Sequence, residues 1–381
     1  MPADSGDAAR DILAGLGKHD AIVQELAIGL SRPKAQWTPE WKSRELPEHL
    51  LTAIQAPHSS SIMVVNHYLS LRIAAAAHTG EAAKAHEAAL LIARFSQASM
   101  NDSMLIGLLV GTSGSEILRH AAWEICAAHA GTAEDFARLE SALTALDFRS
   151  STLRAYRSEM AVNINTIQFL KRKSDNSLEQ LIALNSAGGS KGSAFEYVTK
   201  YAMLSGNLDA SAAVIAEHEF KFLIKPLRDH GWQAARKASQ EWERELTKMQ
   251  GHLWSHPSYI IPSIICPVYT NLINRSIFTQ ALLNQAIIAC ALERYRIEKG
   301  SYPNSLDAVR LSDGKPLPLD PIHEKPMGYR NTADGKYALW SVGFDGKDDG
   351  GKRTLNEKKP ENTQFHKTDY VGDWVWDFPA E

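Results

Sequence analysis

The chain is poor in cysteine, with only Cys126, Cys266 and Cys290 in 381 residues. The three lie far apart, and none belongs to a CxxC or CxH spacing. Zinc sites and disulfide frameworks need clustered or regularly spaced cysteines, so neither is expected here. Each cysteine sits in an apolar helical context, which predicts small buried hydrophobic residues.

An excess of charge of one sign is also missing. Lys and Arg number 41 against 44 Asp and Glu, a net charge of −3, which gives no reason to expect nucleic acid as a partner.

Long hydrophobic runs are also missing. The longest apolar run, residues 104–110, is far short of the ~18 residues of a membrane helix. The first residues lack a basic segment followed by an apolar one, so no signal peptide is visible. We expect no direct membrane insertion by this sequence. Its location would be periplasmic or cell-envelope if an N-terminal anchor precedes it, and otherwise cytoplasmic.

No motif in the chain specifies a catalytic or cofactor-binding residue. There is no HExxH, and His252 and His256 are followed by a proline that makes a regular helix there doubtful. Ser113 lacks the Gly-x-Ser-x-Gly spacing of a nucleophile elbow. Arg154, with its helical neighbours Arg157 and Glu159, is interpreted as an ion-pair group between helices rather than an anion clamp.

Hydrophobic periodicity near 3.6 residues dominates the chain up to Gly300 and predicts a mainly α fold. The expected architecture is a multi-helix body of αα-hairpins, solenoid-like, with a small antiparallel β meander at the C-terminus. Three regions are expected: 1–60, an N-terminal helix and a Pro/Trp-rich segment; 61–270, the helical body; and 271–381, a long helix with the β tail. Single helices are predicted over 7–30 and 207–249, whereas the prolines in 251–270 argue against a regular helix there.

After Gly300 the pattern changes to short, aromatic-rich runs separated by turns. Strand signals cover 327–330, 336–342 and 372–376, and Asp-Gly turns lie between them. We therefore expect all substantial strands after residue 320, carried by one helix over 271–299.

An ordered set of short motifs runs through this tail. It comprises Ala291-Leu292-Glu293-Arg294-Tyr295-Arg296, Lys299-Gly300-Ser301-Tyr302-Pro303, Leu319-Asp320-Pro321, Ser341-Val342-Gly343, Asp345-Gly346 and Asp348-Asp349-Gly350-Gly351. In this order they resemble the C-terminal region of type II secretion major pseudopilins, over about residues 280–376. The whole chain also resembles a group of bacterial envelope proteins with a helical body before such a tail, which closes with Asp373-Trp374-Val375-Trp376. Unlike those proteins, the sequence shows no N-terminal membrane helix and no prepilin cleavage site.

The acidic loop of the tail is the candidate metal site. Asp345, Asp348 and Asp349 fall within five residues, with glycines that permit tight turns, and clustered carboxylates suit Ca²⁺. The pseudopilin resemblance likewise implies calcium, with Asp345 and Asp373 at the matching positions. The alternative is a solvated acidic turn.

Two functions remain open from the sequence. The first is a non-enzymatic cell-envelope scaffold or assembly protein with a pseudopilin-like, calcium-binding tail, working with a protein partner or as a homo-oligomer. The second is a hydrolase with an unidentified site in the helical body. A deep pocket in which ionisable groups converge would favour the enzyme.

Overall fold

The fold is mainly helical, with a three-stranded antiparallel sheet near the C-terminus, which confirms the predicted fold class. The computed structural model describes residues 5–32, 57–102, 104–172, 205–253, 255–265, 270–332, 334–355 and 370–376. Its helices are α1 Ala8–Gly17, α2 Asp20–Leu30, α3 Pro57–His78, α4 Ala82–Met100, α5 Leu105–Ala127, α6 Ala133–Thr144, α7 Phe148–Arg172, α8 Ser205–Glu219, α9 Lys225–Gly251, α10 Ile260–Ile265 and α11 Thr270–Lys299. Most of the expected Pro/Trp-rich segment and Cys266 lie outside the described residues.

Helices α3, α4 and α5 pack against one another to form the first part of the body. Three glycines of α5 lie where α4 approaches most closely. A Cβ atom at Gly107 would come within 2.5 Å of the Ser99 carbonyl oxygen, and one at Gly114 within 2.4 Å of the Ser96 hydroxyl. Helix α5 continues without a break through all three glycines. They let two helix backbones come close enough to pack tightly.

Helix α11 lies at the centre of the molecule. It packs against α5, α6, α7 and α9 on the body side and against the sheet on the other. One described helix, Asn271–Lys299, is long and apolar enough to cross a membrane, but 89% of its most apolar window is buried inside the protein. This degree of burial is typical of a core helix, here one that packs between the helical body and the sheet.

Three helix predictions need correction. The segment expected as one helix over 7–30 is two helices, because the chain turns at Lys18 and His19. The expected helix over 207–249 is interrupted by a π-helical turn, Phe220–Ile224, and by a kink at Gly231, whose φ of 82° belongs to the left-handed region. The Pro-rich segment nevertheless contains α10, because Pro262 falls in its first turn, where no backbone N–H is needed.

The sheet is built from β1 Gly328–Asn331, β2 Tyr337–Ser341 and, later in the chain, β5 Trp374–Trp376, in the order β1-β2-β5. Trp340 in β2 pairs with Gly328 on one side and with Val375 on the other. A separate hairpin, β3 Arg353–Leu355 with β4 Tyr370–Gly372, was not predicted. All described strands follow residue 320, as expected.

Candidate functional site

A buried carboxylate near the end of α11 fixes the turn that leads into the tail. Glu293 is fully buried, and its Oε1 accepts a hydrogen bond from the Tyr302 hydroxyl. Its Oε2 accepts from Arg296 Nη2 at 2.9 Å and lies 3.1 Å from His129 Nδ1. Burial, and then the neighbouring Glu293 charge, raise the pKa of Tyr302, so its hydroxyl stays a donor. The Lys299–Pro303 turn is therefore held by ionic and hydrogen-bonding contacts to the helix before it.

Asp320 of the Asp-Pro motif connects two parts of the tail. Its side chain is fully buried, with Oδ1 accepting from the Ile322 N–H at 2.9 Å and Oδ2 from the Val342 N–H at 3.0 Å. A carboxylate that accepts two backbone N–H groups gains charge-assisted hydrogen bonds. Asp320 therefore fixes the point at which the chain leaves β2 and enters the acidic loop, residues 342–352.

At the end of this loop, two of the predicted metal ligands, Asp348 and Asp349, lie near a third, Asp373, which contacts the loop through backbone N–H groups. Asp373 is buried, and its Oδ2 accepts from the backbone N–H groups of Asp349 at 3.1 Å and Gly351 at 2.7 Å. Its other oxygen, Oδ1, is buried and has no hydrogen-bond partner in the described part of the chain. Burial raises the pKa of Asp373, and the charges of Asp348 and Asp349 raise it further. Asp348 Oδ1 accepts from Trp340 Nε1 at 2.9 Å.

The fourth predicted ligand, Asp345, lies nearer the start of the loop. It is exposed, and its Oδ1 accepts from the Lys347 N–H at 3.1 Å. Among the described residues, no three His, Cys, Asp or Glu side chains form a group that could hold a metal ion. Calcium at this loop would therefore take part of its six to eight oxygens from backbone carbonyls, for which Gly346, Gly350 and Gly351 (all at positive φ) leave room.

A cleft of about 390 Å³ opens beside Asp345, between α9, α11 and the tail. Its apolar wall is formed by Trp232, Ile277, Pro321, Ile322 and Phe344. Its ionisable lining residues are Arg236, Lys237 and Asp345. Arg236 donates from Nη1 to the Phe344 carbonyl oxygen at 2.9 Å, so α9 holds the start of the acidic loop.

The remaining sequence candidates lie in the helical body, where the structure gives their contacts. Glu159 Oε1 accepts from the Leu105 N–H at 3.0 Å and so satisfies a donor at the start of α5. Arg154 donates to Asn101 Oδ1 at 3.2 Å, and the described residues show this hydrogen bond to a neighbouring segment in place of the expected ion pair. Ser113 lies within helix α5 and accepts from Arg275 Nη2 at 3.2 Å. The His252 and His256 rings are 6.3 Å apart and perpendicular.

Sequence reasoning overlooked the residues that organise the tail. Glu293 and Asp320 stand inside the quoted motifs, but nothing in the pattern marked them as buried carboxylates with defined partners. A charged residue at an apolar position of a helix was the available signal for Glu293. Arg236 lies in a charged helix and showed no signal at all.

Comparison with known proteins identifies no relative: no family model, no curated protein and no solved structure matches the chain.

Proposed function

We propose that this protein is a non-enzymatic scaffold or assembly protein of the cell envelope, with a pseudopilin-like C-terminal module that binds calcium. The helical body provides the surface for a protein partner or a second copy of the chain. The ordered motifs of the tail support the pseudopilin likeness. The hydrolase alternative has less support, because the cleft described above is lined by two basic groups and one carboxylate, without a histidine or a carboxylate pair.

One observation carries the calcium part of the proposal: the buried Oδ1 of Asp373 has no hydrogen-bond partner among the described residues. A buried carboxylate oxygen without a hydrogen bond is costly, and two neighbouring carboxylates add repulsion. A proton would lower this cost at acidic pH, and a divalent cation would lower it at neutral pH. We propose that Asp373 and Asp348 or Asp349 are ligands, together with backbone carbonyls of the loop, and that Asp345 closes the site from the other end.

Thermal unfolding with calcium and with a chelator tests this part. Calcium in hundredfold excess over its Kd is expected to stabilise the folded protein by about 2.7 kcal/mol, because it binds only that state. Asp373→Asn should abolish the shift. Asp334→Asn, in an exposed turn of the same tail, is the control and should leave the shift unchanged.

Asp345→Asn tests whether Asp345 is a ligand. If this variant loses the calcium-induced shift in thermal unfolding, Asp345 binds calcium; if the full shift remains, Asp345 is not a ligand. If millimolar calcium leaves the wild-type transition unmoved, the loop is a solvated turn. The envelope location is tested separately by fractionating cells that express the natural protein. Recovery of the chain with the cytosolic fraction alone would contradict it.

A further inference from the structure

The cleft between α9 and the tail has the composition of a binding site for a small anionic ligand. Its volume, about 390 Å³, lies at the lower end of the range typical of ligand pockets, about 300–1,000 Å³. Trp232, Ile277 and Ile322 are at most 9% exposed and line it with apolar surface. Such a space accommodates one aromatic or branched aliphatic group.

Arg236 brings a positive charge to this apolar wall. Its guanidinium lies over the Phe344 ring, 4.3 Å from the centroid, and donates to the Phe344 carbonyl oxygen. The Nε atom is buried without a hydrogen-bond partner in the described part of the chain. Burial lowers the pKa of Arg236, and no carboxylate of the described residues offsets this effect. The charge is therefore partly desolvated and lacks a counter-charge from the described residues.

The remaining polar groups of the lining leave a net positive charge. Lys237, the next residue of α9, is exposed at the opening. Asp345 is the single acidic residue of the lining, and one of its oxygens already accepts from the Lys347 N–H. Gln233 donates its amide to the Ile322 carbonyl oxygen at 2.7 Å, which holds the tail against the helix. Two cations against one anion favour a ligand with a single negative charge.

We propose that this cleft binds a carboxylate attached to an aromatic or branched aliphatic group, with the carboxylate on Arg236 and Lys237 and the apolar group against Trp232 and Ile322. Arg236 Nη1 already donates to the Phe344 carbonyl oxygen, so a carboxylate would accept from the remaining guanidinium donors and supply the counter-charge that the described residues do not provide. The same chemistry occurs in a free hydrophobic acid and in a peptide C-terminus that ends in a large apolar residue. The two cations of the proposed site, Arg236 and Lys237, lie outside the acidic loop, whereas Asp345 belongs to both the cleft and that loop.

Calorimetric titration of the full chain with 3-phenylpropionate and with its neutral amide tests the charge requirement. The acid is expected to bind at least about tenfold more tightly than the amide, because hydrogen bonds to charged groups contribute roughly 1.5–3 kcal/mol. Acetyl-Ala-Phe with a free carboxylate, against its C-terminal amide, forms the second arm. Tighter binding of this peptide than of 3-phenylpropionate identifies a peptide C-terminus as the source, and weaker binding identifies a free acid.

Three variants locate the site. Arg236→Gln should weaken binding of the acid at least about tenfold and leave the amide unchanged. Lys237→Gln should weaken the acid about threefold, as an exposed charge does. Arg244→Gln is the matched control, exposed on the same helix and outside the cleft, and should bind as wild type. If Arg236→Gln fails to fold, the Lys237→Gln variant and the comparison of acid with amide still test the proposal.

Equal affinity for acid and amide, no binding of the acid at millimolar concentration, or unchanged affinity in a folded Arg236→Gln variant would each overturn the proposal.

Discussion

The hydroxyl of Tyr302 donates a hydrogen bond to Oε1 of Glu293, which joins the Gly-Ser-Tyr-Pro turn to the last turns of helix α11. Both residues are buried, at 6% and 0% exposure. Glu293 also forms an ion pair with Arg296, which neutralises the Glu293 charge inside the protein. The turn that starts the tail is thus tied to a buried ionic cluster.

Removal of the Glu293 carboxylate should be strongly destabilising. Glu293→Ala is expected to cost about 3–5 kcal/mol, because it leaves Arg296 and the Tyr302 hydroxyl without their shared acceptor. Tyr302→Phe removes one charge-assisted hydrogen bond and should cost about 1.5–3 kcal/mol. Urea unfolding measures both. Glu298→Ala, exposed on the same helix, is the control and should change stability by less than about 0.5 kcal/mol. A loss below about 1 kcal/mol for Glu293→Ala, little more than an ordinary surface substitution costs, would contradict the role of the cluster.

Buried His86 should make stability depend on pH. Burial lowers the pKa of His86, whose Nε2 lies 2.8 Å from the Ala130 carbonyl oxygen. Below the unfolded value of about 6.5, the unfolded chain takes up a proton that the folded protein does not. The contribution of buried, neutral His86 to the free energy of unfolding is therefore present at neutral pH. It decreases as pH falls from about 6.5 towards the folded pKa, by at most about 1.4 kcal/mol per pH unit.

Urea unfolding at several pH values between about 7.5 and about 5 measures this slope. His86→Gln should lose less stability than wild type over that interval, because glutamine does not titrate. His67→Gln, at an exposed position of α3, should retain the wild-type slope. Parallel slopes for wild type and His86→Gln would show that other groups cause the pH dependence.

The close approach of the acidic loop to β4 predicts a difference between two glycines. Gly343 and Gly335 both have positive φ, 64° and 79°, so alanine at either should cost about 1–2 kcal/mol from the backbone alone. A Cβ at Gly343 would also come within 2.1 Å of the Gly372 carbonyl oxygen, whereas one at Gly335 meets nothing within 4 Å. Gly343→Ala should therefore be more destabilising than Gly335→Ala by about 1–3 kcal/mol. If both variants lose the same stability in urea unfolding, the backbones at Gly343 and Gly372 can move apart without a cost in free energy.

Elements with a strong local signal were predictable. Thr132 followed by Glu134 and Asp135 is a pattern typical of a helix N-cap, and the structure has a complete capping box between Thr132 and Asp135. The change of pattern after Gly300 located β1, β2 and β5. The turn at Phe220–Ile224 was not predictable, because a π-helical turn differs from an α-helix by one residue and leaves the apolar spacing nearly unchanged.

The candidate site was predictable only in part. Asp345, Asp348 and Asp349 lie close together in sequence and so were visible as a cluster, but which of them meet depends on Asp373, which follows β4 and returns to the loop. The cleft depends on Arg236 and Phe344, which are 108 positions apart in the chain. Contacts between such distant positions follow from tertiary packing, which local patterns do not report.

The double packing of α11 restricts how the length of this helix can change. Gln285 Nε2 donates to the Trp374 carbonyl oxygen of the sheet at 2.5 Å, while Arg294 Nη2 donates to Glu140 Oε2 of the body at 2.9 Å. A single inserted residue between them would rotate everything downstream by about 100° and advance it by about 1.5 Å. Either Gln285 or Arg294 would then be turned away from its partner, depending on which end of the helix kept its position. Insertions and deletions in natural variants of this protein should therefore fall in the connecting loops and spare α11.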